Sequence, residues 1–310
     1  MYEFETPRAL KLQVSDEAGE VRVETGAAGR TEVELRAISA ASQAQVEATH
    51  VDCREDGDGQ RVIVDVPSPR RGFLFGNYGV DVLVRVPEGT SLEITTSSAD
   101  VRAEGQYATG LIRTVSGDAE LARFTGNLSV TTASGDVHVA EALASLQVRT
   151  ASGDIDVERA KGELSLEAQS GDISVRAAEG DARLRGSSSE VQVWTAAGNL
   201  DVRTSSGDVM VHELLAGGSI ATHSGDAELL SVLSGKVTVE TMSGDVEVGI
   251  APGSRVAVDT ETRSGDVRSE IALSDSVESV GGEGPKVALE VRTMSGDISL
   301  RRGRTIATSA

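Results

Sequence analysis

Residues 131–139 read TTASGDVHV, with a serine, a glycine and an acid in a row, and that tripeptide is written nine times along the chain. It stands at Ser116-Gly117-Asp118 and again ending at Asp136, Asp154, Asp172, Asp208, Asp226, Asp245, Asp266 and Asp297. From Asp118 to Asp226 the spacing is 18 residues without a slip, with Ser188-Ser189-Glu190 where one copy is due and Ser98-Ala99-Asp100 as an earlier degenerate one. A fixed period of this length marks a stacked-repeat architecture, and eleven units can be counted.

Within a unit the alternation has period two: Leu128, Val130 and Thr132 share one parity, Ser129, Thr131 and Ala133 the other. Period two is the signature of a strand. After the turn Val137 and Val139 resume the apolar parity, as do Ile155/Val157, Ile173/Val175, Val191/Val193, Val209/Val211 and Val246/Val248. A weaker period of nine, carried by Asn127, Glu163, Asp181 and Asn199, makes each unit two similar halves. Two strands of about 16 Å and two tight turns consume the repeat. The expected fold is all-β, a single-stranded β-solenoid of about 18 residues per coil and about eleven coils, with an N-terminal antiparallel β cap.

The full unit is Thr-x-Ser-Gly-Asp-(Val/Ile), with threonines at Thr114, Thr132, Thr150, Thr204, Thr222, Thr241, Thr262 and Thr293. Thr and Ser are expected to point inward as hydroxyl ladders. The position before the serine reads Val115, Ala133, Ala151, Gln169, Ser187, Ser205, His223, Met242, Arg263 and Met294, a mixture that no core slot accepts, so it faces solvent. The glycines Gly117, Gly135, Gly153, Gly171, Gly207, Gly225, Gly244, Gly265 and Gly296 are read as structural corners that need positive φ or close approach. The aspartates face out and accept bonds from turn amides. The row Asp118, Asp136, Asp154, Asp172, Asp208 and Asp226 is the candidate surface for a partner or for weak Ca²⁺ or Mg²⁺ binding, since hard cations favour carboxylate oxygens.

Residues 1–88 lack the tripeptide and form the N-terminal β cap region, in which 67–79 (PSPRRGFLFGNYG) reads as a loop with exposed apolar residues. Residues 89–302 are the Ser-Gly-Asp repeat solenoid and 303–310 a flexible tail. Near the C-terminal end the spacings grow to 19, 21 and 31, which marks insertions that leave as loops.

Other chemistries fit less well. Forty-nine acids against 29 bases give a net charge of −20, which argues against nucleic acid and anionic membrane surfaces. The N-terminal MYEFETPRALKLQV has no apolar run of signal-peptide kind, and no window reaches a membrane span, so the expected location is cytoplasmic, without direct membrane insertion. A serine nucleophile needs a base within reach, and no Ser-Gly-Asp copy has one next to it. His138 and His212 lie four coils apart, about 19 Å, too far for one zinc ion; His223 and His50 lie elsewhere, and Cys53 has only His50 near it. A calcium β-roll would require Gly-Gly-x-Gly-x-Asp, and this repeat has a hydroxyl where that motif has glycine. A polysaccharide-cleaving β-helix would need paired carboxylates, but Glu120, Asp156, Glu228 and Glu247 are scattered over coils; Arg149, Glu167, Arg185 and Arg203 read as a solvated salt ladder, and Trp194 is a lone stacking platform.

With the repeat and the joining phrase Pro87-Glu88-Gly89 before the first solenoid strand, the chain resembles the bacterial DUF4097 family, labelled as adhesins. The resemblance covers nearly the whole chain. It implies a β-solenoid of no established catalytic activity, in a family with envelope-associated and stress-linked members. The reading is therefore a non-enzymatic scaffold or protein-interaction module without a cofactor, whose partner is an unidentified protein. An envelope-stress regulator and a self-assembling filament are the alternatives.

Overall fold

The computed structural model describes residues 1–57, 59–68, 78–271 and 284–303. The loop expected at 67–79 lies mostly outside them, as does the tail beyond Gly303. The chain divides into two compact units, Met1–Ile155 and Asp156–Ala310.

In the first unit the repeat strands Ser91–Thr96, Gly110–Arg113, Leu128–Thr131 and Leu146–Thr150 stack in parallel in one sheet. Asp100–Tyr107, Ala119–Phe124 and Val137–Ala142 stack in the other. The register is the sequence period made spatial: Ile112 lies opposite Ile94 and Val130, Leu121 opposite Val139. Every second residue is buried, so Ile94, Ile112, Val130 and Val148 form one core column. Fully burying such a side chain contributes about 1.5–3 kcal/mol before chain entropy is counted. The two large rings of this core, Tyr107 and Phe124, stack with centroids 5.3 Å apart, and the Tyr107 hydroxyl donates to the Val23 carbonyl at 2.8 Å. Room for them comes from Gly110, which stands in the column otherwise held by Leu92 and Leu128; a Cβ there would lie 2.6 Å from the Phe124 ring.

The antiparallel strands of the cap are present but confined to the outer edge. Tyr2–Glu5 pairs with Arg30–Ala37, Arg30–Ala37 with Val80–Val86, and His50–Asp56 with Gly59–Asp65, all antiparallel. Leu10–Asp16 and Glu20–Thr25, by contrast, run parallel to Ser91–Thr96 and Asp100–Tyr107 in repeat register. Gly59–Asp65 and Val80–Val86 add one more parallel coil outside them. The change in pairing therefore does not fall at residue 88. Residues 16–21, Asp-Glu-Ala-Gly-Glu-Val, are a degenerate copy of the repeat corner, with Asp16 opposite Thr96 and Val21 opposite Val101.

In the second unit Leu164–Ala168, Ala182–Ser188, Leu200–Ser206, Gly218–Ser224 and Gly235–Ser243 follow one another in one sheet. Ile173–Ala178, Val191–Ala196, Val209–Leu214, Ala227–Val232 and Val246–Ile250 follow in the other. The last two repeats depart from chain order. Lys286–Ser295 lies between Gly235–Ser243 and Arg255–Thr262, and Ile298–Arg302 between Val246–Ile250 and Val267–Ser269. The repeat ending at Asp297 is thus wedged between those ending at Asp245 and Asp266. The long 31-residue spacing is the connection that makes this return.

Candidate functional site: the corner ladders

At each corner of the first unit the alternation breaks. Thr132 is buried, Ser134 exposed, Gly135 buried, Asp136 exposed and Val137 buried. The serines therefore face out, not in. Thr132 and Val137 both point inward yet are five residues apart, an odd number, so two consecutive residues must lie outside; glycine takes the inner bend. The threonine does turn in, and its Oγ1 accepts the N–H of the glycine three residues on: Thr114 from Gly117, Thr132 from Gly135 and Thr150 from Gly153, each at 2.9 Å.

The glycines of this unit are required by contact. A Cβ on Gly135 would lie 1.9 Å from the Gly117 carbonyl oxygen, and one on Gly153 would lie 2.0 Å from that of Gly135. Among the Ser-Gly-Asp copies positive φ enters in the second unit, where Gly207 has φ +142° and donates to the Ser224 carbonyl at 3.1 Å. Gly225, Gly244 and Gly296 make the same inter-coil bond, Gly265 shares the positive φ, and Gly171 is buried like Gly135. With the glycine N–H turned to the next coil, the hydroxyls of Thr204, Thr222 and Thr241 are buried without a partner among the described residues. Each such group costs about 1–3 kcal/mol. One pentapeptide thus adopts two turn forms.

The aspartates form a ladder. The N–H of Asp118 donates to Asp100 Oδ1 at 3.0 Å, that of Asp136 to Asp118 at 2.9 Å, and that of Asp154 to Asp136 at 2.8 Å. In the second unit Glu190 donates to Asp172 at 2.9 Å and Asp226 to Asp208 at 2.8 Å. Asp245 then donates to Asp226, Asp297 to Asp245 and Asp266 to Asp297, following spatial rather than chain order. Each of these accepting carboxylates serves the amide of its counterpart one coil along. Carboxylates stacked at about 4.8 Å repel; charge-assisted bonds to amides offset that. The opposite corner repeats the device, with Asn199 donating to Asp181 Oδ1 at 3.0 Å.

One corner of the second unit lacks glycine. Ser189, wholly buried, occupies the glycine position, and Gly186 occupies the position of the inward threonine, opposite Ala168 and Thr204. A Cβ on Gly186 would lie 2.7 Å from Ser189 Cβ. The two departures compensate: the space given up at one position is taken at the other.

The remaining candidates are dispersed. His50 is exposed, 3.9 Å from Asp52, and His138 lies half-buried on an outward slot. His212 stacks on Trp194 with centroids 5.5 Å apart and planes 4° from parallel, so its ring covers one face of the indole. Glu120 is paired with Arg102 at 2.8 Å, Glu247 with Arg301, and Asp156 accepts from Ser174 at 3.1 Å. In the salt ladder Glu167 lies opposite Arg185, but Arg185 lies opposite Arg203, which pairs with Asp201 on its own strand at 3.3 Å. Partial burial, then the charges of Asp52 and Glu55, push the Cys53 thiol above its ordinary pKa, the reverse of what an activated nucleophile needs. Among the described residues no three His, Cys, Asp or Glu side chains gather as metal ligands, and no helix is long and apolar enough to cross a membrane.

Asp16 is the group whose role the sequence concealed. It fills the threonine slot of the first coil, is 3% exposed, and its Oδ2 has no hydrogen-bond partner among the described residues. Burial raises its pKa from 3.8 to about 7, against the backbone N–H bonds of Ala18 and Glu17 that lower it. Between these values the unfolded chain is ionised there while the folded one holds the proton. Stability contributed by this group therefore falls as pH rises from about 4 to about 7, by up to roughly 4 kcal/mol, and is flat above. Asp16→Asn is expected to remove that slope. Urea unfolding of both proteins between pH 4 and 8 checks it; parallel stability curves would contradict it.

The fold and its ladders define a parallel β-solenoid closed by hydroxyl and carboxylate corners. The chain belongs to the Toastrack family, DUF4097, whose model matches residues 6–160 and 140–301. Two solved structures align along almost the full length. One, described as "a putative cell adhesion protein" from Clostridium sporogenes ATCC 15579, is 10% identical, with 97% of this chain and 98% of that one covered and a TM-score of 0.26. The other, "a putative adhesin" from Bacteroides fragilis NCTC 9343, is 12% identical, with 96% and 95% covered and a TM-score of 0.31. No curated protein matches the sequence significantly.

Proposed function

We propose that the protein is a non-enzymatic, adhesin-like interaction scaffold whose acidic corner is read by a protein partner carrying cationic side chains. The observation that carries this reading is the aspartate ladder of the first unit, in which the carboxylates of Asp100, Asp118 and Asp136 are each held by a backbone amide of the next coil. Their spacing is set by strand pairing, about 4.8 Å per coil, so little side-chain entropy is lost when a partner docks. A partner recognised through such a row binds with a steep dependence on salt.

The triple variant Asp118→Asn, Asp136→Asn, Asp154→Asn tests it. Asparagine keeps an Oδ1 acceptor for the amide bond while removing the charge. Immobilised wild-type protein is expected to capture a partner from cell extract that high salt releases and the Asn variant does not bind, with both proteins melting at similar temperatures. No salt-sensitive partner, or one held equally by the variant, would overturn the proposal.

A further inference from the structure

We propose that His223, Met242 and Met294 form a binding site for a soft monovalent metal ion, Cu(I) or Ag(I), on the outward face of the second unit. The strands Gly218–Ser224, Gly235–Ser243 and Lys286–Ser295 are neighbours in that order and in register, with Thr222 opposite Thr241 and Thr241 opposite Thr293. One residue further along each strand, His223, Met242 and Met294 therefore follow one another up a single outward column. In chain order Arg263 would stand beside Met242. The wedged last repeat puts Met294 there instead and moves Arg263 to the next rung.

Two large thioethers left in water call for a reason: Met242 is 45% and Met294 46% exposed, in a column that holds Ser187 and Ser205 on the preceding rungs. The three side chains line one surface groove of about 350 Å³ together with Glu240, Glu261, Arg263 and Arg292. At about 4.8 Å per rung, His223 and Met294 stand about 10 Å apart at their Cα atoms, with Met242 between them, so an imidazole and a thioether of ordinary length can meet above the central sulfur. Thioethers select Cu(I) over the hard and borderline divalent ions, and imidazole is compatible with it. Of the nearby cations, Arg292 is drawn to Glu290 at 2.8 Å and to Glu261 at 3.9 Å, while Glu240 lies in the rung between Ala221 and Arg292. The net charge of −20 attracts cations to the molecule as a whole.

The test is a competition titration of the full chain, carrying Cys53→Ser so that the thiol does not take the metal. Cu(I) is held under reductant by the chromophoric chelator bicinchoninate, and Ag(I) is followed in a parallel displacement. One Cu(I) per chain is expected to transfer to the protein, with no comparable uptake of Zn²⁺ or Ca²⁺. Met242→Leu, Met294→Leu and His223→Gln are each expected to weaken uptake at least tenfold with unchanged circular dichroism. Met210→Leu, whose sulfur lies against Gln192 elsewhere on the unit, is expected to leave it unaltered. Failure to take Cu(I) from the chelator, uptake that survives Met242→Leu combined with Met294→Leu, or equal loss in Met210→Leu would overturn the site.

Discussion

Gly135→Val will cost the protein more than about 4 kcal/mol, whereas Ser134→Val, one residue away, will cost less than about 1 kcal/mol. The Gly135 backbone is not in the left-handed region, so its conformation alone would forecast little harm. The penalty comes from the neighbour. The new Cβ would lie 1.9 Å from the Gly117 carbonyl oxygen, inside any tolerable contact, and that oxygen belongs to backbone. Relief requires the two coils to separate. That lengthens the Asp136-to-Asp118 amide bond and disturbs the Thr132-to-Gly135 bond in the same corner. Ser134 is exposed, so its replacement meets solvent. Urea unfolding followed by far-ultraviolet circular dichroism reads both variants; a loss below about 1 kcal/mol for Gly135→Val would contradict the close-contact account.

The second large effect is an interaction rather than a single cost. Gly186→Thr alone is expected to destabilise by about 2–3 kcal/mol, because its Cβ would press on Ser189 at 2.7 Å. Ser189→Gly alone removes a buried side chain that fills the space Gly186 leaves, and is expected to cost about 1 kcal/mol. The double variant restores the threonine-and-glycine pair found at corners such as Thr204 and Gly207 and is expected to recover most of the loss, giving a favourable coupling of about 2 kcal/mol in a double-mutant cycle. Additive costs would show that the two substitutions do not compensate each other.

The repeat was legible because its physics is local and recurs. Alternation set the strands, the 18-residue step set the register, and Ile112 opposite Val130 is that step read in space. What escaped was of three kinds. The outward serine follows from a bend that breaks parity between Thr132 and Val137, which no alternation rule contains. The first coil escaped because its corner, residues 16–21, replaces threonine by Asp16 and the ladder aspartate by Glu20, so that the motif is lost and the Asp100 N–H bonds the Gly19 carbonyl instead of a carboxylate. The order of the last two repeats escaped because all copies present equivalent edges; only the length of the connection hinted that the chain returns. The candidate site fared similarly. The aspartate row was visible, its bonding one coil along was not, and the juxtaposition of Met242 with Met294 depends wholly on the exchanged order.

That exchange also constrains how the second unit is built as the chain emerges from the ribosome. Arg255–Thr262 and Val267–Ser269 are made before the strands that separate them from the rest of the sheet. Until residues 286–302 appear, the two strands must either stay unpaired or dock on Gly235–Ser243 and Val246–Ile250, whose free edges are equivalent. Any such docking must be undone before the native order forms. Synthesis thus leaves a waiting interval with an open, self-complementary edge, when the growing chain is most exposed to aggregation.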